Sequence, residues 1–293
     1  MAMTIDEKDQ LEIKADEAVR QLSRMPARCP VEKCGETVFP SNLMMHMLDK
    51  HAHAYENTNS EIYDHMPLLL HFDPKHFEYN NCCMVTLCYG GVKNQPDSQP
   101  ALSYLSLPNA GLINSQHKYD NFLPIMMMVC RTSWFSQIKD KQLKNELTSK
   151  NGNKAGIYVF WLVAPNTTRK LYYTLTAYDR EYHSSRSVIR TVRDFTICQN
   201  PSDFMPDEDN YFLLRDSEIL ELMSIGRPSS NTDNNKKRGI PMELIIYENP
   251  LKPIVQEKDL YTKMPHTKGT VHRTVNGKVS LIKRPFSKTT TCM

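Results

Sequence analysis

The sequence has no run of about 18 apolar residues, so no segment reads as a membrane-spanning helix. It holds only 10 glycines in 293 residues, none in G-x-G spacing, and so has no glycine-rich loop to cradle a phosphate. The first twenty residues are acidic rather than apolar, so no secretory leader is expected. A nucleophile turn is also missing. Cys130 and Cys198, with His117 or His183 as base, are the candidates for thiol catalysis, and none sits in a local pattern that would build an oxyanion site. These shortages point to a non-enzymatic chain with no small-molecule substrate and no membrane association. The expected location is intracellular, nucleus or cytoplasm, where the 8 cysteines would stay reduced or bind metal.

Charge of one sign is short over most of the chain. The net +3 hides a basic tail: from Leu251 onward there are nine Lys or Arg and two acids, a net of +7. The remaining 250 residues carry 27 bases and 31 acids, a net of −4, which counts against a body built to track a phosphate backbone.

What the chain does have is a compact set of soft ligands. Cys29, Cys34, His46 and His51 fall within 23 residues, spaced C-x4-C-x11-H-x4-H. Two thiolates and two imidazoles suit a tetrahedral Zn2+. Pro30 and Gly35 would turn the knuckle. Leu43 stands three before His46, where such a finger buries a leucine, and Val38 or Phe39 would be the second core residue. The usual interval between the Cys and His pairs is about twelve residues, so this finger is one short. The two histidines are expected on one face of a helix. His53 is a less favoured substitute for His51. The bland alternative is a short helix with two surface histidines beside two reduced cysteines.

A second cluster, His65, His71, His76, Cys82, Cys83 and Cys88, is less convincing. Adjacent Cys82 and Cys83 would point to opposite faces of a strand, and buried cysteine is ordinary core. The methionines Met44, Met45, Met47 and Met126 to Met128 read as flexible core filler before they read as a binding surface. The finger's helix window offers only Ser41 and Asn42 as exposed polar residues, with no arginine to pair with guanine. One finger covers about three base pairs, too few for specificity alone.

Along the chain, residues 1–24 read as an amphipathic helix with Leu11, Ala15, Ala18, Val19 and Leu22 on one stripe. The finger takes 25–56. From 62 to 250 the texture is β, with strands expected at 68–72, 82–89, 124–131, 157–164, 171–178, 188–198 and 242–247. Short helices fit 136–148 and 216–223. A Ser, Asn and Lys-rich loop at 226–239 and the basic tail 251–293 are expected to be disordered. Residues 157–163 are apolar on both faces, as in a strand covered on both sides. Residues 171–178 alternate an oily face with a Tyr/Thr face. The two are expected to pair as a hairpin. The fold class is mainly β: an antiparallel β-sandwich-like domain behind a helix and a C2H2-type zinc finger.

The layout Cys29-Pro30, Cys34, Leu43, His46, His51, followed by the stretches 156–163 and 171–179, resembles a family of insect proteins with one small C2H2-like finger and a domain of unknown function. The likeness spans about 25–250 and implies no activity. More loosely, finger plus sandwich is similar to seven-in-absentia and TRAF-type proteins, which present a sandwich edge to short peptides. The RING of a seven-in-absentia ligase is absent here, which argues against ligase activity. Small CHHC fingers that bind RNA are also similar, but their ligand order differs. The first functional expectation is a protein-interaction (adaptor) module with an unidentified protein partner. The second is a nucleic-acid-associated regulator using finger and tail on RNA or DNA.

Overall fold

The structure, a computed structural model, describes residues 25–51, 60–77, 81–102, 107–151, 156–224 and 239–248, together with the backbone of 269–273 and 279–283. The expected helix at 1–24, His53, and all but the end of the 226–239 loop lie outside the described residues. The described residues open with β1 (Ala27–Arg28) and β2 (Thr37–Val38), then α1 (Leu43–Lys50). Next come β3 (Ser60–Ile62), β4 (Pro67–Phe72), β5 (Cys82–Tyr89) and β6 (Leu123–Ser133). After α2 (Lys141–Asn151) follow β7 (Gly156–Ala164), β8 (Tyr172–Tyr178), β9 (Ser185–Thr191) and β10 (Arg193–Asp194). A helical turn α3 (Pro201–Phe204), β11 (Phe212–Arg215), α4 (Asp216–Ser224) and β12 (Ile240–Tyr247) complete the body.

Two sheets face each other. The larger runs β10-β7-β6-β5-β3, with β11 sharing the β10 side of β7. The smaller runs β4-β12-β8-β9. Most pairs are antiparallel, but β3 with β5 and β10 with β7 are parallel, so the sandwich is mixed rather than purely antiparallel. Between the sheets sit Leu87, Ile125, Met127, Phe160 and Leu162 from the larger, and Phe72, Tyr173, Leu175, Met242 and Leu244 from the smaller. Period-two alternation puts these side chains inward. In β5 the register slips between Cys83 and Val85, so Met84 is an extra residue and both it and Val85 reach the inter-sheet core.

The expected hairpin between 157–163 and 171–178 does not form. β7 pairs with β6, β10 and β11, whereas β8 pairs with β12 and β9 in the opposite sheet. Apolar side chains on both faces mark β7 as interior, and alternation marks β8 as covered on one face. Neither pattern names a ladder partner. The segment between them carries the chain across the core instead. The strand expected at 188–198 is two pieces in opposite sheets, β9 beside β8 and β10 beside β7, and the Phe195 amide still bonds the Ala164 carbonyl at 2.9 Å. The helix expected at 136–148 starts later, after a 3-10 turn at Trp134–Gln137. Within 62–250 and at its start, the strands β3 and β11 were not expected, nor were β1 and β2 in the finger.

Part of the tail 251–293 has its backbone described. β13 (Gly269–Arg273) and β14 (Val279–Lys283) form an antiparallel ladder. Thr270, Val271, Val279 and Ile282 are β-branched, and such side chains favour extended backbone.

The outer face of the large sheet explains why β7 is oily on both sides. Cys83, Met126, Met128, Val159, Trp161 and Val163 form a second core with Cys29, Val38, Leu43 and Met47. Thus the finger lies on the sheet. A third cluster joins Met44 and Leu48 to Cys88, Leu112, Tyr119 and Phe122. The methionine expectation holds for Met44, Met47, Met126, Met127 and Met128, which are fully buried; Met45 is half-buried against the third cluster.

Candidate metal centre

The knuckle starts where β1 ends. The Cys29 amide donates to the Glu36 carbonyl at 2.8 Å, and the Cys34 amide to the Val31 carbonyl at 3.0 Å. Gly35 takes a φ of +68°, which turns the chain back into β2 at low steric cost. Across from it, Val38 rather than Phe39 is the buried core residue; Phe39 is half exposed. A 3-10 turn, Pro40–Asn42, leads into α1. This tighter helix rises about 2.0 Å per residue against about 1.5 Å for the α form, so it covers the same distance in fewer residues. It accounts for the short interval between the Cys and His pairs.

The two imidazoles do not share a helix face. Five residues turn about 140° away on a continuous helix. His46 lies inside α1, but the helix stops at Lys50. His51 takes φ −121° there, its amide still bonded to the Met47 carbonyl at 3.1 Å. That break swings its ring into the site. His46 Nε2 lies 3.5 Å from Cys34 Sγ, and His51 Nε2 lies 3.4 Å from Cys29 Sγ. The rings meet edge to face at 5.1 Å. One donor atom from each of the four residues lies within 4.8 Å of the others. A tetrahedral Zn2+ with bonds of about 2.3 Å to sulfur and about 2.05 Å to nitrogen puts S and N about 3.6 Å apart. The measured S-to-N separations match this, so the donor set and its spacing fit a metal ion.

Burial pushes the Cys29 thiol up to about 12, with the neighbouring Cys34 adding to the rise. Burial also lowers His46 and His51 below their usual 6.5, so both rings keep the lone pair a metal needs. Deprotonating Cys29 here is therefore costly unless a cation balances the thiolate. Backbone bonds hold the knuckle to the sandwich: Glu32 N–H to the Asn81 carbonyl at 3.2 Å, and Ala110 N–H to the Ser41 carbonyl at 2.7 Å.

The other sequence candidates do not gather. Among the described residues, these four make up the one group of three or more His, Cys, Asp and Glu able to hold an ion. Cys82 faces the inter-sheet core and Cys83 the opposite one, as their adjacency requires. Cys130 is buried and its thiol is pushed up to about 12 by that burial. His117 sits beside Asp120 and His183 beside Glu181. The Cys198 thiol points to the Asp203 carboxylate at 3.4 Å. One contributor escaped the sequence reading: Glu36 Oε2 lies 3.3 Å from His46 Nδ1. Its place two residues after Cys34 was the available signal.

Residues 28–225 match the family described as "Domain of unknown function (DUF4729)". The chain belongs to this family. The DUF4729 span opens one residue before Cys29 and takes in all four candidate ligands, β3 to β11 and α4, and it ends before β12. The matched span thus joins the finger to every strand of the two facing sheets except β12. Comparison with curated proteins finds no match. Among the described residues, no helix is long and apolar enough to cross a membrane.

Proposed function

We propose that this DUF4729 chain is a non-enzymatic protein-interaction module in which Zn2+ on Cys29, Cys34, His46 and His51 pins a small finger to a β-sandwich. The observation that carries this reading is how the finger's helix is used. Leu43, Met44 and Met47 of α1 are fully buried and Leu48 nearly so, all against the sandwich. A C2H2 helix that reads DNA must present its first turns to the major groove. This one is committed to its own domain, so the finger acts as a brace.

The partner surface is the edge of the small sheet at β9. Among the described residues, β9 has one ladder neighbour, β8. The Val192 amide reaches the Leu171 carbonyl, while the Thr191 amide reaches Asn210 Oδ1. Alternation then turns the Ser185, Ser187 and Ile189 amides away from β8. Ile189 is 61 % exposed beside them. Such an edge suits an extended segment of a protein partner, added as a further strand with an apolar residue against Ile189. The likeness to TRAF-type sandwiches points the same way.

Affinity capture from cells with the full chain, Ile189→Lys and a chain lacking 251–293 tests this. A partner lost with Ile189→Lys, kept without the tail and insensitive to salt supports the reading. Capture of RNA or DNA that weakens steeply with salt and needs the tail overturns it in favour of a nucleic-acid-associated regulator.

A further inference from the structure

We infer that Glu36 is a positioning residue for the metal centre: its carboxylate holds the His46 ring in the tautomer and orientation that offer Nε2 to the ion. This rests on the metal reading above and adds a residue outside the ligand set. Imidazole has two nitrogens, and the one that ligates is fixed by what the other bonds to. In His46 the assignment is geometric. Nε2 faces Cys34 Sγ at 3.5 Å, inside the donor cluster. Nδ1 faces Glu36 Oε2 at 3.3 Å, outside it. A carboxylate within ion-pair distance favours the proton on Nδ1, which leaves the lone pair on Nε2 and makes that nitrogen more basic.

The fold delivers Glu36 to this spot for its own reasons. Its carbonyl accepts the Cys29 amide at 2.8 Å, closing the knuckle. That bond uses backbone, so any substitution at 36 keeps it. The side chain itself is 53 % exposed, whereas the His46 side chain is 6 % exposed. Removing the Glu36 side chain therefore opens no cavity; what it removes is the acceptor on a buried ring.

Co2+, which reports a Cys2His2 site by its visible absorption, is titrated into the full chain in competition with a chromophoric chelator. Glu36→Ala is expected to weaken binding about 10- to 100-fold, the usual cost of losing an outer carboxylate. Glu36→Gln keeps a neutral acceptor and should fall between Ala and wild type, because charge-assisted hydrogen bonds are the stronger ones. Asp49→Ala removes an exposed carboxylate that also bears on His46 electrostatically but lies outside ion-pair distance of its ring. It should change binding by less than about twofold if the close approach to Nδ1 rather than charge in general matters. The thermal midpoint of the metal-free chain should be the same for Glu36→Ala and wild type.

Unchanged affinity in Glu36→Ala, or an equal loss in Asp49→Ala, overturns the assignment. A lowered midpoint in the metal-free chain also does so, because the residue would then be serving the fold. No tetrahedral Co2+ spectrum from wild type would instead remove the metal reading on which the assignment rests.

Discussion

Gly35 and Gly91 both hold left-handed backbone, and the difference between them separates conformational cost from steric cost. At Gly35, φ is +68° and an added Cβ would meet nothing within 4 Å. At Gly91, φ is +71° but the Cβ would fall 2.1 Å from the Ser98 carbonyl oxygen. Gly35→Ala should therefore cost only the backbone term, about 1 kcal/mol, and Gly35→Asn less, since asparagine tolerates this region. Gly91→Ala must also displace the turn at Ser98, whose hydroxyl bonds Val92 and Gln95. It should cost clearly more. Urea unfolding of the three variants checks the order; equal losses at 35 and 91 would mean that the Ser98 turn yields freely. Metal affinity adds a second reading at 35 alone, because that turn spaces Cys34 from Glu36.

At the scale of elements, the sequence reading and the structure part company over what covers a strand. The doubly apolar pattern of residues 157–163 correctly marked β7 as interior. It could not say that one cover is the small sheet and the other the helix α1, because hydrophobic periodicity reports burial and not the identity of the neighbour. For the same reason β8 was joined to β7 when it belongs opposite. β3 and β11 were missed because strands of three and four residues carry too little alternation to register. The gathering of Cys29, Cys34, His46 and His51 was legible because coordination demands particular side chains at near-fixed spacing. How His51 reaches the site was not, since that depends on where α1 stops. The finger–sheet contact gives a direct test. Leu43 and Trp161 are both fully buried in the same cluster, and Trp161 is held by its indole N–H to Gln199 Oε1 at 2.9 Å. Leu43→Ala should destabilise by about 2–5 kcal/mol and Trp161→Ala by about 3–5 kcal/mol. If finger and sheet form one core, the double variant should lose less than the sum, by about 0.5 kcal/mol or more. Strict additivity would show that the two do not share a contact surface.

For the whole molecule the question is whether a metal at the proposed site would stabilise the finger alone or the entire domain. The finger alone buries little: its side chains find their neighbours on β5, β6 and β7 and in the Leu112 to Phe122 segment. If it loosened, Met126, Met128, Val159, Trp161 and Val163 would lose their cover at the centre of the large sheet. Those strands also form one wall of the inter-sheet core, so a local loss propagates into it. A ligand that binds only the folded state adds about 4 kcal/mol at a thousandfold excess over its dissociation constant. In a domain of this size that corresponds to about 8–16 °C in the melting midpoint. Treatment with a strong chelator, or Cys34→Ser, should accordingly lower the midpoint of the single main transition by at least this order. Amide exchange should rise on β6 and β7 as well as on α1, since exchange in these strands depends on the same cover. The contrary result would be a small separate transition with β6 and β7 still protected. It would make the finger an appendage free to leave the sheet, and would return α1 to the list of surfaces that a partner could use.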